Sequence, residues 1–434
     1  MFAKLIPLLA APAILGAQQM SDTTFRPISQ SEAVKLAQQN NLAAITSANA
    51  IRTASNQVRS ARAQLYPSLS ATAGQSISAG DRIGQSGTLV PYTPVWQYST
   101  GLQSSITLFD GGKTFADVRA RRADVTAAEA GQVTTNFSLA LQVKTQYNAA
   151  LAANEQLAAA QAQLDLAQQE LAMTVAKVNA GAANVADSLN SVVQVGNAEI
   201  SILTAQQNLR SASAALTRLV GTTYMVTASP ADTVDRPLAP IDSSSVLALA
   251  LEGPAVKQNE AQIASANAAV RSAKTAYLPT LRVNLSFQGN GTAAVYGLNG
   301  NPYPYTRGAN FQLSYPIFNG YQRENTIQSA EIQAENAQAS LRDNKLAAQQ
   351  TIITQLGLLH NAEEQVRVQQ ISVRAAQEAL RVNQQRYNFG AGTLVDVLTS
   401  QSSLVAARQQ LIQARLNYRN ARAQIEAVIG KDLQ

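Results

Sequence analysis

The chain is written twice. Residues 61–69 read Ala-Arg-Ala-Gln-Leu-Tyr-Pro-Ser-Leu, and residues 273–281 read Ala-Lys-Thr-Ala-Tyr-Leu-Pro-Thr-Leu, 212 positions later. Phe109-Asp110-Gly111-Gly112 returns as Phe318-Asn319-Gly320-Tyr321, and Asn179-Ala180-Gly181 with Asp187 and Leu189 returns as Asn388-Phe389-Gly390 with Asp396 and Leu398, both 209 positions on. Leu219-Val220-Gly221 returns as Val428-Ile429-Gly430. Four matches in one order at a nearly constant offset define two copies of a single unit, so any fold must be buildable from one half and then repeated.

Each copy has the same internal order. A helical stretch (about 29–65 and 243–277) runs into a Tyr66-Pro67 or Leu278-Pro279 pair, where proline pushes the chain towards extended backbone. Two short alternating runs follow. Leu281, Val283, Leu285 and Phe287 interleave with Arg282, Asn284, Ser286 and Gln288, and Ala309, Phe311, Leu313, Tyr315 and Ile317 interleave with Asn310, Gln312 and Ser314. In the first copy Trp96, Tyr98, Leu102, Ile106 and Leu108 alternate with polar neighbours, and Leu69, Ala71 and Ala73 do so more weakly. Period-two patterning with one apolar and one polar face predicts β-hairpins over 68–108 and 280–317, around loops near 79–95 and 290–306. Strands of about nine to eleven residues suit a tilted crossing of a bilayer. Trp96 and Tyr98 at the loop end, and Tyr66, Phe109, Tyr277, Tyr315 and Phe318 at the helix end, stand where membrane-interface aromatics would sit.

Four such strands cannot close a useful barrel, because even eight leave an interior only just filled by side chains. An open sheet edge is not tolerated in lipid. The strands therefore predict a barrel shared between copies of the chain, twelve strands from three protomers. A soluble four-stranded sandwich is the competing reading of the same alternation.

The remainder of each copy is helical: a long helix over 114–180 or 321–389, a glycine turn, and a shorter helix over 185–220 or 393–429. A helix of some 67 residues reaches about 100 Å. Two shorter helices stacked end to end would match that length. Apolar residues seven apart (Leu157, Leu164, Leu171 and Val178; Val366, Val373, Leu380 and Tyr387; Val195, Ile202, Leu209 and Leu216; Leu404, Leu411, Tyr418 and Ile425) predict coiled seams. Residues 222–242 read as a linker between the copies and 431–434 as a C-terminal tail. Residues 1–17 read as a signal peptide, with Lys4 before an apolar run from Leu5 to Gly16 and a small residue at Ala17.

Composition closes off other functions. The chain has no cysteine, which removes disulfides, thiolate metal sites and cysteine nucleophiles. Its formal net charge of +6 is spread along helical stretches, and the densest cluster, Arg119, Arg121 and Arg122, has few interleaved aromatics, so nucleic acid is not the expected partner. His360, the only histidine, lies mid-helix without partners at ligand spacing. No phosphate loop, nucleophile–base set or paired acids stand out. No enzymatic activity, metal or cofactor is expected.

Taken together these features resemble the TolC family of outer-membrane efflux and secretion channels. The resemblance rests on Tyr66-Pro67 and Leu278-Pro279, on Leu108–Gly112 and Pro316–Gly320, and on Arg386–Gly390 running to Asp396-Val397-Leu398. It implies a homotrimer with a twelve-stranded barrel in outer-membrane lipid, a periplasmic α-helical barrel, a mixed belt to which 222–242 contributes, a periplasmic adaptor protein, and an inner-membrane transporter of RND, MFS or ABC type. It places the gate at the tips around Gly181 and Gly390, with Asp187, Tyr387 and Asp396 nearby. The arginine that latches some members two residues beyond the second tip glycine is replaced by Gly392. Asn184–Asp187 and Thr393–Asp396 also read as capping boxes, so the two acids cap helices alone or cap and gate together. Passive export of small amphiphiles is the expected function. A type I protein-secretion duct would use the same fold, and a trimeric coiled-coil surface fibre would share the heptads but not the inserted hairpins.

Overall fold

The computed structural model describes residues 25–83, 86–233, 243–293 and 304–433. The expected signal peptide lies outside these residues, as do parts of the linker and of the two hairpin loops. In chain order the elements are β1 (Arg26–Ile28), α1 (Gln30–Asn40), α2 (Leu42–Ala63), β2 (Ser68–Ile83), β3 (Leu89–Phe109), α3 (Lys113–Asn179), α4 (Val185–Val220), β4 (Val226–Ala228), α5 (Ser243–Leu251), α6 (Pro254–Lys274), β5 (Thr280–Ala293), β6 (Tyr305–Ser314), α7 (Gln322–Asn388) and α8 (Leu394–Ile429).

The long helices α3 and α7, each of 67 residues, run the full length of the helical layer, about 100 Å. Above the junction of the short helices the lateral order is α2–α3–α6–α7, and below it α4–α3–α8–α7. Short helices thus stack in pairs along the long ones. At the junction, β1 and β4 form a small parallel sheet over a core of Ile28, Leu139, Val143, Tyr147, Leu151, Leu216 and Val226. The buried Tyr147 hydroxyl is 3.0 Å from the Ile28 carbonyl and 2.5 Å from Asp232 Oδ2, and it accepts the Ser229 amide at 3.1 Å. Burial and the Asp232 carboxylate both push its pKa up, so it remains a neutral fastener. Between the copies, Lys144 of α3 bridges Glu426 of α8 at 2.7 Å and Asp432 at 2.5 Å, tying the C-terminal tail to α3.

The structure corrects three expectations. Each first helix is split. At Asn41 the backbone turns extended, its side-chain Oδ1 accepts the Ala43 amide at 2.8 Å, and its side-chain Nδ2 donates to the Leu219 carbonyl at 2.8 Å. In the second copy the break falls at Glu252–Gly253. There a Cβ on Gly253 would meet the Val428 carbonyl at 2.2 Å, so only glycine lets this segment approach α8 so closely. The second correction concerns the strands: β2 has 16 residues, β3 21 and β5 14, longer than expected, with ladder pairing continuing from Ser78/Val95 past a bulge to Ile83/Leu89. The third concerns the α3–α4 seam. Its buried positions are Ala160, Ala167, Glu170, Thr174, Ser191, Ala198 and Ala205, not the leucine heptad Leu157–Leu171, which is half-buried. Small side chains let the two helices come close. In the second copy Leu380, Leu404, Tyr418 and Ile425 of the expected heptads are buried.

One four-stranded antiparallel sheet joins the copies in the order β2-β3-β5-β6. Its register sorts most of the side chains, with Gln75, Thr100, Ser104 and Arg307 the polar residues on the otherwise apolar face. Leu69, Ile77, Trp96, Tyr98, Leu102, Ile106, Val283, Leu285, Phe287, Phe311 and Leu313 share one face, while the other carries Ser, Thr, Asn, Gln and Gly with Arg282 as its one ionisable residue between the helix end and the level of Trp96. No helix covers either face. Leu69, Phe311 and Leu313 are each about 70% exposed or more, and every residue of β6 is exposed. A soluble sandwich must cover its apolar face, so that reading has no support here.

The close approach at Gly253 gives a direct test. Gly253→Ala is expected to weaken the α5–α6 junction by about 1–3 kcal/mol, the usual cost of forced overpacking, and to lower the temperature at which the purified protein loses helical circular dichroism. An unchanged transition would contradict the assigned packing.

Candidate functional site at the helical tips

The ends of α3 and α7 farthest from the sheet turn back through short glycine loops. Gly181 (φ 74°) and Gly390 (φ 72°) are left-handed, and each closes a matched pair of hydrogen bonds. The Gly181 and Ala182 amides donate to Val178 and Lys177 carbonyls at 3.0 and 2.8 Å, and the Gly390 and Ala391 amides to Tyr387 and Arg386 carbonyls at 3.2 and 2.8 Å. This Schellman arrangement satisfies the last helical carbonyls and fixes a tight reversal, which a Cβ at either glycine would strain.

The two acids expected to act alike do not. Thr393 and Asp396 form a complete capping box: the Asp396 carboxylate accepts the Thr393 amide at 3.0 Å, and the Thr393 hydroxyl accepts the Asp396 amide at 3.2 Å. These bonds, first that from the Thr393 backbone, hold the exposed Asp396 carboxyl below its ordinary pKa. In α4, Asn184 alone caps, accepting the Ala186 amide at 3.1 Å, and Asp187 takes no part in a box. The reading of 184–187 as a capping box is therefore corrected. Asp187 is left half-buried and free of a structural duty at the helix start.

Lys177, which the pattern reading did not single out, bridges the two coiled pairs. Its ammonium donates to the Tyr387 carbonyl at 2.8 Å and lies 3.8 Å from the Tyr387 ring centre, joining the end of α3 to the end of α7. Burial lowers the Lys177 pKa and raises that of Tyr387, whose phenol is further raised by Asp187 and Glu170. Glu170 is 4% exposed in the small-residue seam; its carboxyl is raised by burial, and Oε1 has no hydrogen-bond partner among the described residues. Thr174 and Ser191 lie beside it, 3.4 Å apart through their hydroxyls. The available signal for Lys177 was positional. It stands four residues before Gly181 as Arg386 stands four before Gly390, and a cation in a last helical turn reads first as a partner of helix carbonyls. Gly392 packs against Arg386, with a Cβ there reaching the Arg386 Cβ at 3.2 Å.

At the opposite end, Trp96 and Tyr98 lie on the apolar face opposite Ile77 and Gln75, towards the loop end. Phe109 pairs with Leu281 on the same face beyond a bulge. Tyr315 and Phe318 lie past the end of β6, exposed, with Phe318 edge-on to Tyr321 at 5.5 Å. Trp96 and Phe109 are 13 residues apart on β3, about 30 Å along the normal of a membrane crossed at the usual tilt. Among the described residues there is no group of three metal-ligating side chains and no helix long and apolar enough to cross a membrane. His360 is exposed on α7.

A two-faced sheet with bare edges, continuous with a helical layer about 100 Å long that ends in tight turns, defines the class of outer-membrane channel proteins. Comparison with known proteins specifies the family. The sequence matches the outer membrane efflux protein family over residues 33–222 and 247–431, one stretch in each copy, and the chain belongs to that family. It is similar to the pyoverdine export outer membrane protein OpmQ of Pseudomonas aeruginosa (29% identical over 377 residues, 85% of this chain and 77% of that one) and to the outer membrane protein TolC of Escherichia coli (26% over 355 residues, 76% and 69%). The fold matches the crystal structure of CusC with a TM-score of 0.73 at 22% identity, covering 98% of this chain and 99% of that one. It also matches the open state of the Neisseria gonorrhoeae MtrE channel, with a TM-score of 0.71 at 20% identity over 100% and 99%. The protein is an outer-membrane export channel of the TolC family that extends into the periplasm.

The unequal caps predict unequal responses to acid. Asp396 has a depressed folded-state pKa, so its contribution is present above the unfolded value and lost as pH falls through the folded one. Amides at the start of α8 are expected to exchange faster with solvent in Asp396→Ala, and in the native protein below the ordinary carboxylate range, while Asp187→Ala leaves the start of α4 unchanged. Equal effects at both tips would contradict the asymmetry.

Proposed function

We propose that three copies of this chain form a passive duct for small amphiphilic molecules, with twelve strands closing one barrel in the outer membrane and twelve helices in cross-section lining the periplasm. The observation that carries this reading is that sheet and helical layer end on the same flanks. β2 lies on the side of α2 and α4, and β6 on the side of α7. Both flanks are also greasy. On α4, Val185, Leu189, Val192, Val193, Ile200 and Leu203 are all more than half exposed, and on α7 so are Leu346, Ile353 and Ile371. A copy added at either flank would satisfy strand amides and cover apolar side chains in one step.

With the apolar face turned to lipid, the Ser, Thr, Asn, Gln and Gly face lines the lumen. A wall that is wetted but almost uncharged gives amphiphiles no deep binding site to leave, which suits passage rather than capture. The export role named for OpmQ agrees with a small cargo. A periplasmic adaptor and an inner-membrane transporter of RND, MFS or ABC type would supply direction. Docking along the tip seams between Val178 and Leu189 and between Tyr387 and Leu398 would part the coiled pairs.

In this reading the closed tip is held by Lys177 on Tyr387, with Asp187 and Asp396 contributing carboxylates around the narrowing and Gly181 and Gly390 setting the turns. Trp96, Tyr98, Phe109, Tyr315 and Phe318 float the barrel at the two interfaces. Reconstituted protein is expected to run as a heat-dissociable trimer and to open small, brief pores in planar bilayers. Lys177→Met should raise the open fraction several-fold, and a deletion strain should accumulate amphiphilic drugs. A monomer that opens no pores, or a Lys177→Met trimer gated like the native one, would count against the duct or against its latch respectively.

A further inference from the structure

Between the helix end and the level of Trp96, the apolar face of the sheet carries one ionisable side chain besides its tyrosines, Arg307 of β6. An arginine on the lipid face of a barrel is costly near the midplane and tolerated near the rim. Its position therefore demands an explanation. Arg307 lies seven residues from Ser314, where β6 meets the helical layer, and one register pair on that face short of the last ladder pair, Gly289–Tyr305. At the usual rise and tilt its Cα sits about 18 Å above the helix end, within side-chain reach of the outer boundary of an apolar band of about 25 Å.

The local structure holds the group in place. The Arg307 guanidinium lies 5.6 Å from the Phe287 ring centre, and Phe287 stacks on Tyr305 at 5.0 Å with the planes 9° apart. The ring stack supports the stem and fixes where the guanidinium emerges. Among the described residues no carboxylate forms a salt bridge with Arg307, and the neighbouring positions on that face, Leu285, Ala309 and Phe311, are apolar. The flank that a neighbouring β2 would contribute, Leu69 to Ile77, also lacks an acid.

We infer that Arg307, backed by Phe287 and Tyr305, is a binding site for the phosphate of a phosphorylated glycolipid in the outer leaflet. The guanidinium presents its planar fork to phosphate oxygens, the rings lie against the acyl chains below, and the shared barrel would carry three such sites. This rests on the reading of the sheet as a lipid-embedded wall, from which its depth is counted.

The test uses the full-length protein in detergent. The heat-dissociation midpoint of the trimer is measured with bis-phosphorylated lipid A, with the same lipid stripped of phosphate, and with phosphatidylglycerol, for the native protein and for Arg307→Gln and Arg307→Lys. Phosphorylated lipid A is expected to raise the native midpoint by several degrees, to raise that of Arg307→Lys less, and to leave Arg307→Gln unmoved, while the stripped lipid does nothing. Native mass spectrometry should find the phosphorylated glycolipid retained on the native trimer and lost from Arg307→Gln. Equal stabilisation of Arg307→Gln, or equal potency of the stripped lipid or of phosphatidylglycerol, would overturn the site while leaving the duct standing. A native protein that forms no trimer in detergent would overturn the lipid-wall reading and the site with it.

Discussion

Backbone hydrogen bonding at the two outer strands governs everything else in this molecule. β2, of 16 residues, and β6, of 10, are the outer strands of the sheet, and along each of them alternate amides and carbonyls point away from it with no further strand beside them among the described residues. In water such groups are solvated and cost little. In hydrocarbon each costs several kcal/mol, so edges of this length would cost tens of kcal/mol in total. The side chains leave no alternative environment. One face of the sheet is apolar and uncovered, so the sheet belongs in lipid, and in lipid the edges must close. A single chain cannot close them. The helices follow the same rule in weaker form, because α4 and α7 end the helical layer with large apolar residues facing outward, where burying each would contribute about 1.5–3 kcal/mol.

Most of this was legible in sequence because duplication makes weak signals reinforce one another. The Tyr66-Pro67 and Leu278-Pro279 pairs stand where strand follows helix, and strict alternation in 281–287 and 309–313 sorted the two faces of β5 and β6. What escaped notice did so for identifiable physical reasons. The α3–α4 seam is built from Ala160, Ala167, Ala198 and Ala205, and alanine is so frequent in this chain that its heptad is lost among leucines that lie half outside. The break at Asn41 depends on a bond to the Leu219 carbonyl, 178 residues away, which no local pattern encodes. β2 and β3 extend beyond their hydrophobic alternation, through Gly80, Asp81 and Pro91, because ladder pairing continues where side-chain contrast has already faded.

At the tips the copies diverge, and that divergence is where sequence matching was least informative. Asp187 and Asp396 occupy equivalent positions, yet only Asp396 completes a capping box, because Thr393 offers a hydroxyl and geometry that Asn184 does not reproduce. Lys177 and Arg386 are likewise equivalent, yet Lys177 reaches across to Tyr387 while Arg386 bonds back to the Ala391 carbonyl at 3.4 Å. Dissimilar tips leave one turn bonded within itself and the other joined through Lys177 to the neighbouring coiled pair of the same chain.

The absence of cysteine makes the central claim directly testable. Single cysteines placed on the polar face of β2 (Ser70 or Thr72) and of β6 (Asn310 or Gln312) would be combined in one chain and oxidised in outer-membrane preparations, then resolved on denaturing gels without reductant. Closure of β6 onto the β2 of the next copy predicts disulfide-linked dimers and a trimeric ring, with yields that peak at one register and vanish when either cysteine is omitted. Exclusively monomeric bands across the whole panel, in protein that is nonetheless folded and in the membrane, would contradict it.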